Sequence, residues 1–242
     1  MVITLLLVIV VLVVYGAIFK EVAHGATATD ATVADWRMEE PVDATVMVDG
    51  VGDHDGTIGR RVELTGHAYI FPGETRKTAG SHGLYQPGRL VQVPESDDLD
   101  PGDGAFAVTV RFMMLDDGPH KPNLIQKGQD NQPGGYWKIA VNTGWPRCHF
   151  RDADGNTAAV GFVNGLDDYK VTDGEWHTVT CQRLADGRTS VTLDGTTRTW
   201  SSTTGTLNNT RPLVMGGKLD CASDRTGCDY INAKVRWVTI TH

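Results

Sequence analysis

From Thr29 onward the chain carries no sustained helical period. Short segments rich in Val, Thr, Ile and aromatics recur between clusters of Gly, Asp, Asn and Pro, a pattern of many strands joined by tight turns. Ala105 to Met113 is the clearest case: Phe106, Val108, Val110 and Phe112 alternate with smaller or polar neighbours, as a strand with one buried face requires. Shorter runs follow at Tyr136 to Val141, Arg147 to Arg151 and Thr157 to Phe162, with Asp154-Gly155-Asn156 turning the chain between the last two. His177 to Leu184, Thr189 to Leu193 and Thr196 to Trp200 are joined by Asp186-Gly187 and Asp194-Gly195, which predicts an antiparallel meander. Arg211 to Gly217 and Val235 to Thr241 supply the last strands. Packing such alternating strands into two sheets gives each one a buried and a solvated face.

A different pattern governs the start. Val2 to Phe19 is an unbroken apolar run, near the length that spans a bilayer and longer than a signal-peptide core. Lys20, Glu21 and the small-residue stretch Ala26-Thr27-Ala28 follow it. Two fates stay open for residues 1–28, cleavage as a signal peptide or retention as a helical membrane anchor. Both place the rest outside the membrane, secreted or at the cell surface. Residues 29–34 read as a linker and 35–242 as one domain.

Composition changes the picture in two places. With 22 Lys and Arg against 30 Asp and Glu, the net charge is −8, which disfavours a nucleic-acid partner because neutralising phosphates requires clustered cations. The four cysteines fit two disulfides of an oxidising compartment. Cys148 and Cys181 fall inside predicted strands, and Cys221 and Cys228 flank a short loop, so 148–181 and 221–228 is the natural pairing among three connectivities. Zinc is disfavoured because the spacings lack a close cysteine pair.

The stretch Asp173-Gly174-Glu175-Trp176-His177-Thr178-Val179, followed by Val191-Thr192-Leu193-Asp194-Gly195, resembles the laminin-G-like signature. Trp36 with His54-Asp55-Gly56-Thr57-Ile58, Leu90 to Pro94 with Ala105 to Val110, and Leu213 to Gly217 extend the resemblance across residues 35–242. It implies an all-β fold, a two-sheet antiparallel jelly-roll sandwich of the concanavalin A-like lectin and glucanase type. It also implies that Trp176 and His177 are framework residues. Because this scaffold hosts lectins, adhesion modules, hydrolases and lyases, the fold alone does not set the function.

Candidate sites are few. Tyr136, Trp137 and Trp145, in the Gly/Pro-rich stretch Gly134 to Pro146, are the candidate ligand contacts, expected on a variable loop pair; Tyr85 and Tyr230 are secondary. Calcium is the candidate cofactor, since relatives hold it near the first turn and the last strand. Asp49, Asp53 and Asp55 crowd that turn, and Asp220 and Asp229 border the second cysteine loop, although Arg236 stands where the resemblance expects an acidic ligand. Glu95, Asp97, Asp98 and Asp100 imitate a glucanase carboxylate set but lie in a polar loop and end in Asp where that set ends in Glu, so no catalytic residue is assigned. The expectation is a non-catalytic, extracytoplasmic recognition module for carbohydrate or an extracellular protein, touching membrane only through its N-terminal segment. A glycoside hydrolase or polysaccharide lyase on the same fold, and a structural subunit of a surface assembly, are the alternatives.

Overall fold

The computed structural model describes residues 31–73, 86–116, 121–130, 132–162, 167–219, 221 and 228–242. The hydrophobic N-terminal segment, Tyr85 and Asp220 lie outside the described residues. Among the described residues no helix is long and apolar enough to cross a membrane.

The described chain is all-β, with three single-turn 3-10 helices. Its strands are β1 (Thr32–Trp36), β2 (Val46–Met47), β3 (Gly56–Ile58), β4 (Glu63–Leu64), β5 (Tyr69–Phe71), β6 (Val91–Val93), β7 (Phe106–Met114) and β8 (Asn123–Gly128). They continue with β9 (Tyr136–Asn142), β10 (Trp145–Arg151), β11 (Thr157–Gly161), β12 (His177–Arg183), β13 (Arg188–Leu193), β14 (Thr196–Thr203), β15 (Leu213–Met215) and β16 (Ala233–Thr241). One antiparallel sheet runs β14-β13-β12-β7-β16-β5-β4, with β1 also pairing β16. The other runs β11-β10-β9-β8-β15-β6-β3-β2. These two sheets form the expected jelly-roll sandwich.

Alternation builds the core between them. On β7, Phe106, Val108, Val110, Phe112 and Met114 are buried, whereas Thr109, Arg111 and Met113 are half-exposed. Across the outer face, Thr109 hydrogen-bonds Thr180 at 3.0 Å and Arg111 donates to Thr178 at 2.9 Å. The second sheet answers with Trp137, Ile139, Val141, Phe150, Val160, Leu213 and Met215. The Cys148–Cys181 disulfide crosses this core from β10 to β12, with Cα atoms 5.5 Å apart, so it clamps the two sheets together.

The meander turns follow from sequence. Asp194 and Gly195 both take positive φ, 46° and 87°, the geometry in which a two-residue hairpin matches strand twist and in which Asp-Gly is favoured. Asp194 also explains the spacing of the signature motif. Its carboxylate accepts the Thr178 N–H at 2.8 Å and contacts His177 Nδ1 at 2.7 Å, while His177 Nε2 contacts Asp173 at 2.9 Å. His177 thus links Asp173 to the Asp194-Gly195 turn as framework. Trp176 itself is half-buried and stands outside the main core cluster.

A second, smaller apolar cluster covers the outer face of the second sheet. Leu90 and Val214 pack there with Leu219, Tyr230 and the Cys221–Cys228 disulfide. The main-chain bond from Asn123 N–H to Asp229 carbonyl, 2.9 Å, fixes this cover to β8.

Candidate functional site

Beyond that cover, β9 and β10 continue the same outer face. The register opposes Lys138 to His149, Tyr136 to Arg151 and Ala140 to Arg147. Because Trp137, Ile139, Val141, Cys148 and Phe150 fill the core, period-2 alternation turns Tyr136, Lys138, Arg147, His149 and Arg151 the other way. All five are half-buried.

The electrostatics of this patch are unusual for so acidic a chain. Burial, reinforced by the charges of Lys138, Arg147 and Lys121, pushes the His149 imidazole down to about 3. At neutral pH His149 is therefore an uncharged ring with one N–H donor and one acceptor nitrogen. Burial also lowers Lys138, with Lys218 and Lys121 repelling its charge and Asp229 opposing them. Asp229 is itself paired to Lys218 at 2.9 Å. Lys138 Nζ lies 6.0 Å from the centre of the Tyr136 ring. Arg151 is anchored to Asp130, through its carboxylate and its carbonyl at 2.7 Å. The patch therefore offers an ammonium, a neutral imidazole and an aromatic face, groups that bind hydroxyls and an anionic substituent together.

The aromatic expectation is corrected for two of its three residues. Trp137 is 1% exposed and packs 5.1 Å from Phe106, and Trp145 is 5% exposed with Lys170 Nζ 5.2 Å from its ring. Both belong to the core. The expected variable loop pair is instead the β9–β10 hairpin, and strand periodicity takes Trp137 inward while leaving Tyr136 at the surface. Tyr230 is also buried, accepting the Gln86 N–H at 2.6 Å.

The first turn is organised by a carboxylate–imidazole–carboxylate chain. His54 Nδ1 meets Asp49 at 2.9 Å and Nε2 meets Asp98 at 2.8 Å. Asp49 also accepts the N–H groups of Asp35, Val51, Gly52 and His54, and Asp55 accepts that of Asp49. Burial opposes the Asp49 charge, but these donors outweigh it and hold the carboxyl below 3.8. Both Asp49 oxygens are thus committed to protein donors, which leaves a calcium ion little to bind there. Asp53, Glu95, Ser96, Asp98 and His54 border the adjacent cleft, of about 520 Å³. Among the described residues no group of three or more His, Cys, Asp or Glu could hold a metal ion.

Of the glucanase-like carboxylates, Glu95, Asp98 and Asp100 are engaged by other protein groups. Asp97 opens a 3-10 turn, Asp98 bonds His54 and Ser96, and Asp100 is buried against Lys127 Nζ at 2.8 Å. Lys127, fully buried on β8, also approaches Glu95 at 3.6 Å and donates to the Asn209 carbonyl. Sequence reasoning missed Lys138 and His149 because only the β9–β10 register brings them together.

The sandwich places the chain among two-sheet jelly rolls of the concanavalin A type. Residues 124–233 match the model of the laminin G domain family. A comparison with curated proteins gave no match. Among solved structures, the binding domain of Paraclostridial Mosquitocidal Protein 1 superposes with a TM-score of 0.61 at 14% identity, over 88% of this chain and 49% of that one. The botulinum neurotoxin serotype D ligand-binding domain, in complex with N-acetylneuraminic acid, gives 0.60 at 14%, over 88% and 48%. The botulinum neurotoxin DC binding domain, in complex with rat synaptotagmin II, gives 0.61 at 12%, again over 88% and 48%. The chain spans about half the length of these structures, and the likeness is one of fold.

Proposed function

We propose that this chain is an extracytoplasmic, non-catalytic recognition module whose β9–β10 outer face binds an acidic glycan. The observation that carries the reading is the β9–β10 register, which sets His149 opposite Lys138 on one face with Arg147 and the Tyr136 ring. A carboxylated or sulfated sugar would place its anion against Lys138, its hydroxyls against His149 and its apolar ring face against Tyr136. The proposal includes residues 1–28 as export segment or anchor, 29–34 as linker and 35–242 as the binding domain. Two disulfides support an oxidising compartment. The sialic-acid and synaptotagmin complexes of the structural neighbours lend weight to a binding role.

An array of acidic and neutral glycans, probed with the full chain in detergent, tests this. Saturable binding confined to acidic glycans, weakened about tenfold or more in Lys138→Gln, is the expected result. Equal binding to neutral glycans, or depolymerisation of any of them, would overturn it.

A further inference from the structure

At the far edge of the same sheet lies a cavity of about 530 Å³, lined among others by Thr57, Arg60, Arg61, Gln86 and Gln92. The described clefts differ sharply in charge. Asp53, Glu95 and Asp98 border one, and Asp35, Glu39 and Glu40 with Arg37 border another, whereas among the described residues no carboxylate lines this one. In a chain with 30 Asp and Glu against 22 Lys and Arg, a cavity whose described lining carries two arginines and no acid is a marked local reversal. Neither arginine pairs with a carboxylate among the described residues.

The backbone holds this arrangement. Gly59 N–H donates to the Leu90 carbonyl at 2.9 Å and Arg61 N–H to the Gly88 carbonyl at 2.7 Å, lashing the turn after β3 to the 3-10 turn before β6. A Cβ at Gly59 would sit 2.5 Å from the Leu90 oxygen, so only glycine permits this approach. A Cβ at Gly88 would lie 3.2 Å from Arg60 Cγ and 3.8 Å from Arg61 Cγ; the two stems therefore flank Gly88. Thr57 and Gln92 are directly paired across β3 and β6, adding a hydroxyl and a carboxamide from one cross-strand step.

We infer that this cavity is a second anion-binding subsite, taking a carboxylate or sulfate group on two guanidinium forks with Thr57 and Gln92 as neutral hydrogen-bonding partners. Guanidinium suits such oxyanions because it can donate two parallel hydrogen bonds. The register Thr57–Gln92–Val214–Gln126–Lys138 places it four strand steps from the β9–β10 face, roughly 19 Å at about 4.8 Å per step. The disulfide-bonded cover packs on Val214 between the two sites, so each would bind its own anion. The inference deepens the acidic-glycan reading, and the subsite itself is defined independently of the first.

The test is an NMR titration of the full, isotope-labelled chain in micelles with sodium sulfate and, separately, sodium glucuronate at constant ionic strength. Saturable shifts of the Gln92 side-chain amide and the Arg61 backbone amide are expected with at least one anion. The paired substitution Arg60→Ala, Arg61→Ala, at two exposed positions, should weaken them at least tenfold and leave any His149 response unchanged. Lys138→Gln should do the reverse, so the two sites can fail separately. Whichever anion saturates the cavity identifies the preferred group. No saturable shift with either anion, or shifts that survive the arginine substitutions, would overturn the subsite.

Discussion

His54 and His149 answer to pH in opposite senses, each because of its neighbours. Burial disfavours charge on His54, but hydrogen bonds to Asp98 and Asp49 outweigh it and raise the ring above 6.5. A folded-state value above the unfolded one stabilises fully below 6.5, and that contribution is lost as pH rises through the folded value. His54→Asn should therefore destabilise most at pH 6, by about 1.5–3 kcal/mol for charged hydrogen bonds, with a smaller deficit at pH 9. His149 does the contrary: between 6.5 and about 3 the unfolded chain takes up a proton that the folded site refuses, so stability drops as the pH is lowered through that window. His149→Gln should be more acid-resistant than the parent relative to pH 7.5. Thermal melts of both variants at pH 4.5, 6, 7.5 and 9 check the two signs, and equal deficits for His54→Asn at pH 6 and pH 9 would count against the clamp.

Strands were legible where one face is clean. β7 and the β12–β13–β14 meander follow from alternation and Asp-Gly turns, because apolar residues at every second position have one sheet face to bury. β8 was not legible: Asn123, Gln126 and Lys127 interrupt any apolar alternation, yet all six of its residues are buried. Tertiary partners supplied by distant loops make that burial tolerable, above all Asp100 for Lys127. Burial raises the Asp100 carboxyl against the pull of Lys127, so the carboxylate depends on its partner. Lys127→Ala should cost about 3–5 kcal/mol in urea unfolding by stranding Asp100, while Lys127→Met with Asp100→Leu should cost much less. Equal losses in the single and double variants would show that the pair is not coupled. The inter-sheet disulfide makes a similar point about distance. Replacing Cys148 and Cys181 by Ala should cost about 3–4 kcal/mol for a closed loop of this size, against about 2 for Cys221 and Cys228. Melting temperatures of the two paired variants give that order, and a larger loss at the short loop would reverse it.

At the scale of the molecule, the candidate site belongs to no single segment. Tyr136 could be picked from sequence as an aromatic, but its neighbours Lys138, His149 and Arg147 become a patch only when β9 and β10 pair in register. The patch is also a local exception to the field around it, since the chain as a whole carries −8. An acidic glycan approaching it meets two opposed forces of different range: attraction to Lys138 at contact and repulsion from the rest of the body. Salt separates them, because the Debye length is about 30 Å at 0.01 M, 10 Å at 0.1 M and 3 Å at 1 M. Raising salt from the lowest value first screens the distant repulsion and strengthens binding. Further salt then screens the contact pairs and weakens it. Affinity measured by calorimetry across that range should therefore pass through a maximum, where a uniformly basic binder would show only decline. Lys138→Gln should flatten the falling limb and leave the rising one, since only the contact attraction depends on that ammonium. A monotonic fall in the parent chain would mean that the distant carboxylates do not reach the site, and the β9–β10 face would then have to be treated as electrostatically isolated from the body that carries it.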